Sequence, residues 1–317
     1  MINFRYHVVS LTAVFLALAI GLVVGTAALN GPVADNLKSQ ITALNKDLSN
    51  KRDEINQYRE EINRSQDFAT EIAPTVLNGK LAGRKLAVLA LPGTDQYADK
   101  VIQMLTIAGA TITAKVTVQD KFFDPAVEFE LLDLASESSQ PTIGTADLPL
   151  NSNGVETASA QLAMALLSRT SPAGGAPVTQ PSAGDVTAVL TAYTKASYIA
   201  VDDDAVGGAE ATVMVTGAPA VDKDAAKKAQ SLVYMAGEVS KNRPLVVAGV
   251  GVGEGNLISA VRGDPTLVKD ISTVDNASTA DGQVAAAMAT IERVVDDKVG
   301  QYGLAAGAAS FVPKASS

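Results

Sequence analysis

The sequence contains no cysteine and no tryptophan, and it has only one histidine. Without cysteine the chain forms no disulfides, iron–sulfur clusters, thiolate zinc sites or cysteine nucleophiles. A single histidine leaves almost no room for a histidine-based catalytic triad or a multi-histidine metal site. The absence of tryptophan removes the aromatic platform on which sugars commonly stack. The composition therefore excludes cysteine-based chemistry and leaves little room for histidine-based catalysis or metal binding.

Basic charge is also scarce, since the net charge is −9 and the isoelectric point is near 4.7. An acidic protein repels nucleic acid and anionic lipid headgroups. We therefore expect no nucleic-acid partner, and we interpret the acidity as a source of solubility.

One long hydrophobic run stands near the N-terminus. Residues 8–29 carry no charge over 22 positions, and Arg5 and His7 precede them without an acid. A run of this length crosses the roughly 30 Å hydrocarbon core, whereas the apolar part of a signal peptide has about 7 to 15 residues. The sequence predicts a cytoplasmic N-terminus over residues 1–7 and a transmembrane signal anchor over 8–30, with the bulk of the chain extracytoplasmic. Cleavage near Thr26 and Ala27, which would release a soluble protein, is the alternative.

Within this run, Gly21 and Gly25 are four residues apart. Such a pair places two missing side chains on one helix face, where a second backbone can approach closely. We predict a membrane-helix packing contact there, although glycine is also common in membrane helices that form no such contact.

The next segment, residues 33–73, has the apolar spacing of a coiled coil. Steps of four and three residues alternate. The residues on this stripe are Leu37, Ile41, Leu44, Leu48, Ile55, Tyr58 and Ile62, with Lys51 and Ser65 as polar interruptions. We predict a stalk that forms a parallel homodimer, because β-branched residues at the first heptad position favour two parallel strands. The alternative is an amphipathic helix that packs on its own domain.

Residues 80–303 alternate apolar strand patterns with helix patterns. Strands are predicted at 85–91, 111–118, 198–201, 211–215, 244–250 and 268–273, with helices between them. This alternation predicts a mostly parallel, Rossmann-like α/β sheet domain on the extracytoplasmic side. Segments 136–154 and 172–184 are predicted to be flexible, and residues 304–317 to form a C-terminal tail. The order of the strands is not predicted.

Ligands usually bind at the loops that follow such strands, and three of these loops contain candidate binding residues. Glycines at 249, 251, 253 and 255 do not match the dinucleotide-binding spacing and predict a tight turn. Three consecutive aspartates at 202–204 point in alternate directions and predict a solvated loop. Asp275 is interpreted as a turn or capping residue. We therefore predict no catalytic, metal or cofactor-binding residue, and no enzyme.

The opening HVVSLTAVFLALAIG, the coiled coil and the closing VDN and GQYG elements together resemble the MctB-type copper transporter family of bacteria with a mycolate envelope. The resemblance implies a single-pass envelope protein linked to copper homeostasis or efflux. A SteB-like branch of this family implies a different role at cell division. In that branch the coiled coil binds a SteA-like membrane protein and controls peptidoglycan hydrolases.

Residue chemistry helps to choose between these implications. Copper prefers cysteine, methionine or histidine ligands, whereas His7 precedes the membrane run and five methionines are scattered along helices and one strand. One membrane helix also cannot enclose an aqueous path. The favoured hypothesis is therefore a dimeric scaffold or regulator linked to division, with copper homeostasis or efflux as the alternative and weakly supported copper binding. An unrecognised enzyme or small-ligand receptor is the third possibility.

Overall fold

The computed structural model describes residues 4–29, 31–169, 180–202, 204–219, 225–241 and 243–314. The chain divides into two compact units, Met1–Arg64 and Ser65–Ser317. The first unit contains helix α1, Phe4–Leu29, and most of helix α2, Pro32–Leu77. The last turns of α2 belong to the second unit, which also contains the sheet. This second unit therefore begins 15 residues before residue 80, where the sequence pattern placed its start.

Helix α2 continues through Pro74, where the sequence pattern predicted its end. Proline lacks an N–H group and removes one helical hydrogen bond. However, Ala73 and Leu77 on either side of it are completely buried in an apolar core. Their packing holds the last turn in place. The helix ends before Gly79, whose φ of +74° is a left-handed conformation that glycine adopts without strain.

The predicted mostly parallel sheet is confirmed, and it has seven strands in the order β3-β2-β1-β4-β5-β6-β7. Only β3, which pairs with β2, is antiparallel; the other neighbours are parallel. The strands are β1 Lys85–Ala90, β2 Thr111–Val118, β3 Ile199–Val201, β4 Ala211–Thr216, β5 Leu245–Gly249, β6 Ile271–Val274 and β7 Gln301–Tyr302. Apart from β3, this order is that of a doubly wound nucleotide-binding fold.

Helices cover both faces of the sheet because the inner strands are apolar on both sides. In β1, Leu86 and Val88 point into one core, and Ala87 and Leu89 point into the other. The end of α2 packs on the first face with α3 and α10, while α4 to α8 supply the second. These helices are α3 Asp95–Ile107, α4 Glu128–Glu137, α5 Gly154–Leu166, α6 Ala183–Lys195, α7 Ala225–Ser240, α8 Leu257–Gly263, α9 Leu267–Asp270 and α10 Ala280–Val295.

The two segments predicted to be flexible and the predicted tail differ in how far they pack against the domain. In segment 136–154, Ile143 is completely buried, and the backbone N–H of Thr142 donates to Asp185 at 2.8 Å. The predicted flexible residues 172–179 lie outside the described residues, and α6 begins at Ala183. In the predicted tail, Val312 packs against the core on the α10 face. Residues 304–314 are therefore part of the second unit.

Candidate functional site

Helix α1 presents an apolar surface on every side. Within it, Phe4–Ala27 forms a stretch of 24 residues with a mean hydropathy of 2.6, long and apolar enough to cross a membrane. A signal anchor and a cleaved signal sequence both satisfy this criterion. The helix begins four residues before the predicted run and includes Arg5 and His7 in its first turn. A side chain added at Gly21 or Gly25 would meet no atom within 4 Å, so this helix face is open to a neighbouring backbone.

The predicted seam forms a single stripe along α2 within the first unit. Helical spacing of three and four residues places all of these side chains on one face. They are exposed by between 49% at Ile55 and 61% at Leu44. The residues concerned are Leu37, Ile41, Leu44, Leu48, Ile55, Tyr58 and Ile62. Isolated exposed leucines are ordinary, but a continuous stripe of large apolar residues is typical of a surface that binds another helix.

The polar interruption of this stripe is neutralised within its own chain. The Lys51 ammonium donates to the Glu54 carboxylate at 2.9 Å, and the Tyr58 hydroxyl donates to the same carboxylate at 3.3 Å. The hydrogen bond from Lys51 lowers the pKa of the Glu54 carboxyl and raises the pKa of the Lys51 ammonium. Opposite charges therefore stand side by side on α2.

In the α/β unit, the strand order reverses between β1 and β4, where a fold of this kind usually binds its ligand. A crevice of about 160 Å³ lies there, lined by Leu91 and Pro92 after β1 and by Thr216 and Gly217 after β4. Ligand pockets usually measure about 300 to 1,000 Å³. At the rim of this crevice, the side-chain amide of Asn256 already donates a hydrogen bond to the carbonyl oxygen of Gly217 at 3.0 Å. At about 160 Å³, this crevice is smaller than such pockets.

The glycine-rich loop after β5 is a tight turn, as predicted. Gly251 and Gly255 have left-handed φ values of +79° and +78°. A side chain at Gly249 would stand 2.4 Å from the Ile258 methyl group, so glycine there permits close packing of β5 against α8. The following Asn256 accepts from the backbone N–H of Ile258 at 2.8 Å and caps α8.

Two of the three aspartates after β3 lie among the described residues, and both are exposed to solvent. Asp202 and Asp204 are exposed, and Asp203 lies outside the described residues. No group of three or more histidine, cysteine, aspartate or glutamate side chains with metal-binding geometry occurs among the residues that the structure describes.

Asp275, in contrast, occupies a buried ion pair that the sequence pattern did not predict. Its carboxylate accepts from the Arg262 guanidinium of α8 at 2.8 Å, and the two side chains are only 2% and 7% exposed. Arg262 also donates to the hydroxyl of Thr273 at 2.9 Å and to the carbonyl of Tyr302 at 2.7 Å. One guanidinium therefore joins β6, β7 and α8.

The second oxygen of Asp275 holds the chain that follows β7. The backbone N–H of Leu304 donates to it at 2.8 Å. A side chain at Gly303 would lie 2.2 Å from this carboxylate, and one at Gly300 would collide with the Tyr302 ring. The VDN and GQYG elements are thus in contact with each other in the folded domain. Each element alone resembles an ordinary turn in the sequence. The ion pair becomes recognisable only when the two elements are known to lie side by side.

Two larger depressions lie among the helices of this unit. One of about 410 Å³ has Arg169, Glu238, Lys241 and Arg243 at its rim. Arg243 donates to Ser168, Arg169 pairs with Asp147, and Lys241 pairs with Glu238. The other, about 420 Å³, is an open polar groove between α2, α3 and α10. Among the described residues, neither depression is an enclosed apolar pocket that contains an unpaired charged side chain.

The five methionines after Met1 fill the two cores. Met104, Met214 and Met235 are at most 2% exposed, and Met164 and Met288 pack against the same cores. Met104 and Met288 lie on one face of the sheet, whereas the other three belong to the core on the opposite face. Packing explains these sulfur atoms, because flexible methionine side chains fill irregular core space.

Comparison with known proteins gives a consistent result. The family model described as "Copper transport outer membrane protein, MctB" matches residues 1–313. The copper transporter MctB of Mycobacterium tuberculosis is 28% identical over 317 residues, which cover 98% of each chain. The copper transporter MctB of Mycobacterium leprae is 26% identical over 321 residues, covering 98% of this chain and 99% of the relative. The match to the family model extends over the apolar helix α1, helix α2 and the α/β unit, and this chain therefore belongs to the MctB family.

Proposed function

We propose that this protein is a membrane-anchored envelope protein that pairs through its stalk and serves copper homeostasis by binding partners. In this proposal it does not conduct the ion itself. The observation that carries the proposal is the exposed apolar stripe of α2, which runs from Leu37 to Ile62. An apolar stripe of this spacing gains stability when a second helix covers it.

The proposed topology follows from the charges around α1. Arg5 is the only charged side chain in the helix, and it lies at the N-terminal end. Positive charge next to a membrane span favours the cytoplasmic side. The N-terminus is accordingly cytoplasmic, the chain crosses the membrane once, and the stalk and α/β unit lie outside the cytoplasm. Two copies anchored in one membrane then have parallel stalks.

The copper role is supported by the family, whose description and relatives are named for copper transport. The chemistry of this chain supports an indirect role. Copper carriers use soft sulfur or imidazole ligands, whereas the methionines here serve the cores and His7 is in the first turns of α1. A scaffold that brings copper-handling or envelope-building proteins together fits these residues better than a carrier does.

The division-linked role, with a SteA-like membrane partner and control of a peptidoglycan hydrolase, stays a prediction of the SteB-like resemblance. The relatives reported above are named for copper, so we rank this role second. Both roles use the stalk, and they differ in the phenotype that follows when the stalk is disrupted.

The test uses cells that depend on the full-length protein. Ile41→Asp together with Leu48→Asp places charge in the seam. Thr42→Asp together with Ser49→Asp places the same charge one residue further along, outside the seam, and serves as the matched control. We expect the seam variant to lose copper tolerance at normal protein levels and the control to keep it. Normal tolerance in the seam variant contradicts the proposal, and chained cells with normal tolerance favour the division-linked role.

A further inference from the structure

The charges beside the seam of α2 are segregated by sign. When Ile41, Leu48, Ile55 and Ile62 occupy the first heptad position, two flanking positions lie on either side of the apolar stripe. One flank carries Lys38, Asn45, Arg52 and Arg59, and the other carries Gln40, Asp47, Glu54 and Glu61. The first flank has no acid and the second has no base.

This segregation has a direct consequence for how two such helices pair. In a parallel pair in register, a residue of the acidic flank faces the residue five positions later on the basic flank of the other helix. Asp47 then faces Arg52 of the second copy, and Glu54 faces Arg59 of the second copy. Symmetry doubles these to four attractive pairs. In an antiparallel pair, acidic flank meets acidic flank and basic meets basic, so the same charges repel.

We propose that this charge pattern selects a second copy of the same chain, parallel and in register, as the partner of the stalk. The inference rests on the proposed function and deepens it by assigning the selection of the partner and the register to the flanking charges. The flanking residues named in these pairs are exposed or half-buried in the single chain, so they are accessible to a partner. Glu54 already accepts from Lys51 at 2.9 Å, but a carboxylate has several acceptor positions and can accept from a second cation.

Lys51 fixes the register of the same pair. It is the one charged residue on the seam between Leu37 and Ile62. In register, Lys51 meets Lys51 of the second copy, and each ammonium keeps its own Glu54 counterion at 2.9 Å. A shift by one heptad would instead place each lysine against an apolar leucine or tyrosine layer. Polar residues at seam positions commonly specify register in this way.

The experiment uses the full chain in detergent, where helices are free to pair in either direction. Because the protein has no cysteine, Leu44→Cys introduces a single thiol on the seam. This thiol meets its copy, and forms an interchain disulfide on oxidation, only in a parallel pair in register. Thr42→Cys, which points away from the seam, is the control for random collision.

Three charge variants are compared in the Leu44→Cys background. The first carries Asp47→Lys and Glu54→Lys, the second carries Arg52→Glu and Arg59→Glu, and the third carries all four substitutions. Each of the first two places like charges opposite each other, whereas the third restores opposite charges with their signs exchanged. The third variant also lacks the native contact between Lys51 and Glu54, so it controls for loss of that contact.

We expect the first two variants to associate at least about tenfold more weakly, since four exposed attractive pairs become repulsive. The third should cross-link as the unaltered charge pattern does. Equal cross-linking in all three variants overturns the inference and leaves the stalk dimer standing. Failure of the third variant to recover also overturns it. Absence of cross-linking with the native charges also overturns the inference. In that case a dimer mass in sedimentation equilibrium leaves the stalk dimer of the proposed function standing, whereas a single-chain mass contradicts the proposed function as well.

Discussion

At the scale of single residues, the buried pair of Asp275 and Arg262 is a polar contact with a large expected effect on stability. The two side chains are almost fully enclosed, and together they join β6, β7, α8 and the chain after residue 303. Removing one partner of a buried pair leaves the other charge without compensation.

We therefore predict that Asp275→Asn lowers the free energy of unfolding by about 3 to 5 kcal/mol. Denaturant titration of the full chain in detergent, followed by circular dichroism, measures this change. Asp270→Asn is the matched control, because Asp270 is exposed. A loss below about 1 kcal/mol, the scale of a surface ion pair, would show that Asp275 does not hold the C-terminal strand.

A second residue-scale prediction compares two helical glycines. A side chain at Gly282 in α10 would stand 1.8 Å from the Asn276 carbonyl oxygen, whereas one at Gly237 in α7 would meet no atom within 4 Å. Gly282→Ala should cost about 1 to 3 kcal/mol through overpacking. Gly237→Ala should stabilise the domain by about 0.5 to 1 kcal/mol, because alanine favours helices. Thermal unfolding of both variants tests this, and equal melting temperatures would contradict it.

Local sequence predicts some of these residues and not others. The turn at residues 249–255 was predictable, because glycine spacing directly reports backbone freedom. Asp275 was interpreted as a turn or capping residue, because its partners lie far along the chain. Arg262 precedes it by 13 residues on helix α8, and Leu304 follows it by 29. Only the folded sheet brings these groups together.

At the scale of elements, buried strands and helices were predictable because their apolar patterns are continuous. The strand predicted at residues 111–118 corresponds to β2 at the same bounds. β7 was not predicted, since it has only two residues and exists through pairing with β6. The segment before β6 forms the short helix α9, although its pattern resembled a strand. Strand order depends on contacts between distant segments, which no local pattern records.

Helix α1 supports a prediction about contacts in the membrane. Gly21 and Gly25 leave one face of the helix open, and larger residues there would hold two helices apart. Gly21→Leu together with Gly25→Leu should weaken α1 self-association in a bilayer by about 1 kcal/mol or more, measured by energy transfer between labelled helices. Ala19→Leu is the control, because Ala19 lies on the opposite face of α1. Unchanged transfer in the glycine variant would assign all pairing to the stalk.

At the scale of the whole molecule, membership in a copper family does not require that this chain bind the metal itself. The methionines lie in the cores, and the described residues contain no cluster of metal-binding side chains. We predict that the detergent-solubilised full chain binds no Cu(I) or Cu(II) with micromolar affinity in equilibrium dialysis. Stoichiometric binding at that affinity would contradict the indirect role and favour a carrier.

The central claim is that two copies pair through the exposed stripe of α2. Sedimentation equilibrium of the full chain in density-matched detergent tests it most directly, because it reports the protein mass in solution. If two copies pair in this way, the native protein should have twice the chain mass of 32.5 kDa. We expect the single-chain mass for the Ile41→Asp and Leu48→Asp variant, and the native result for Thr42→Asp with Ser49→Asp. A native mass of one chain, or a dimer that survives charge in the seam, would contradict it.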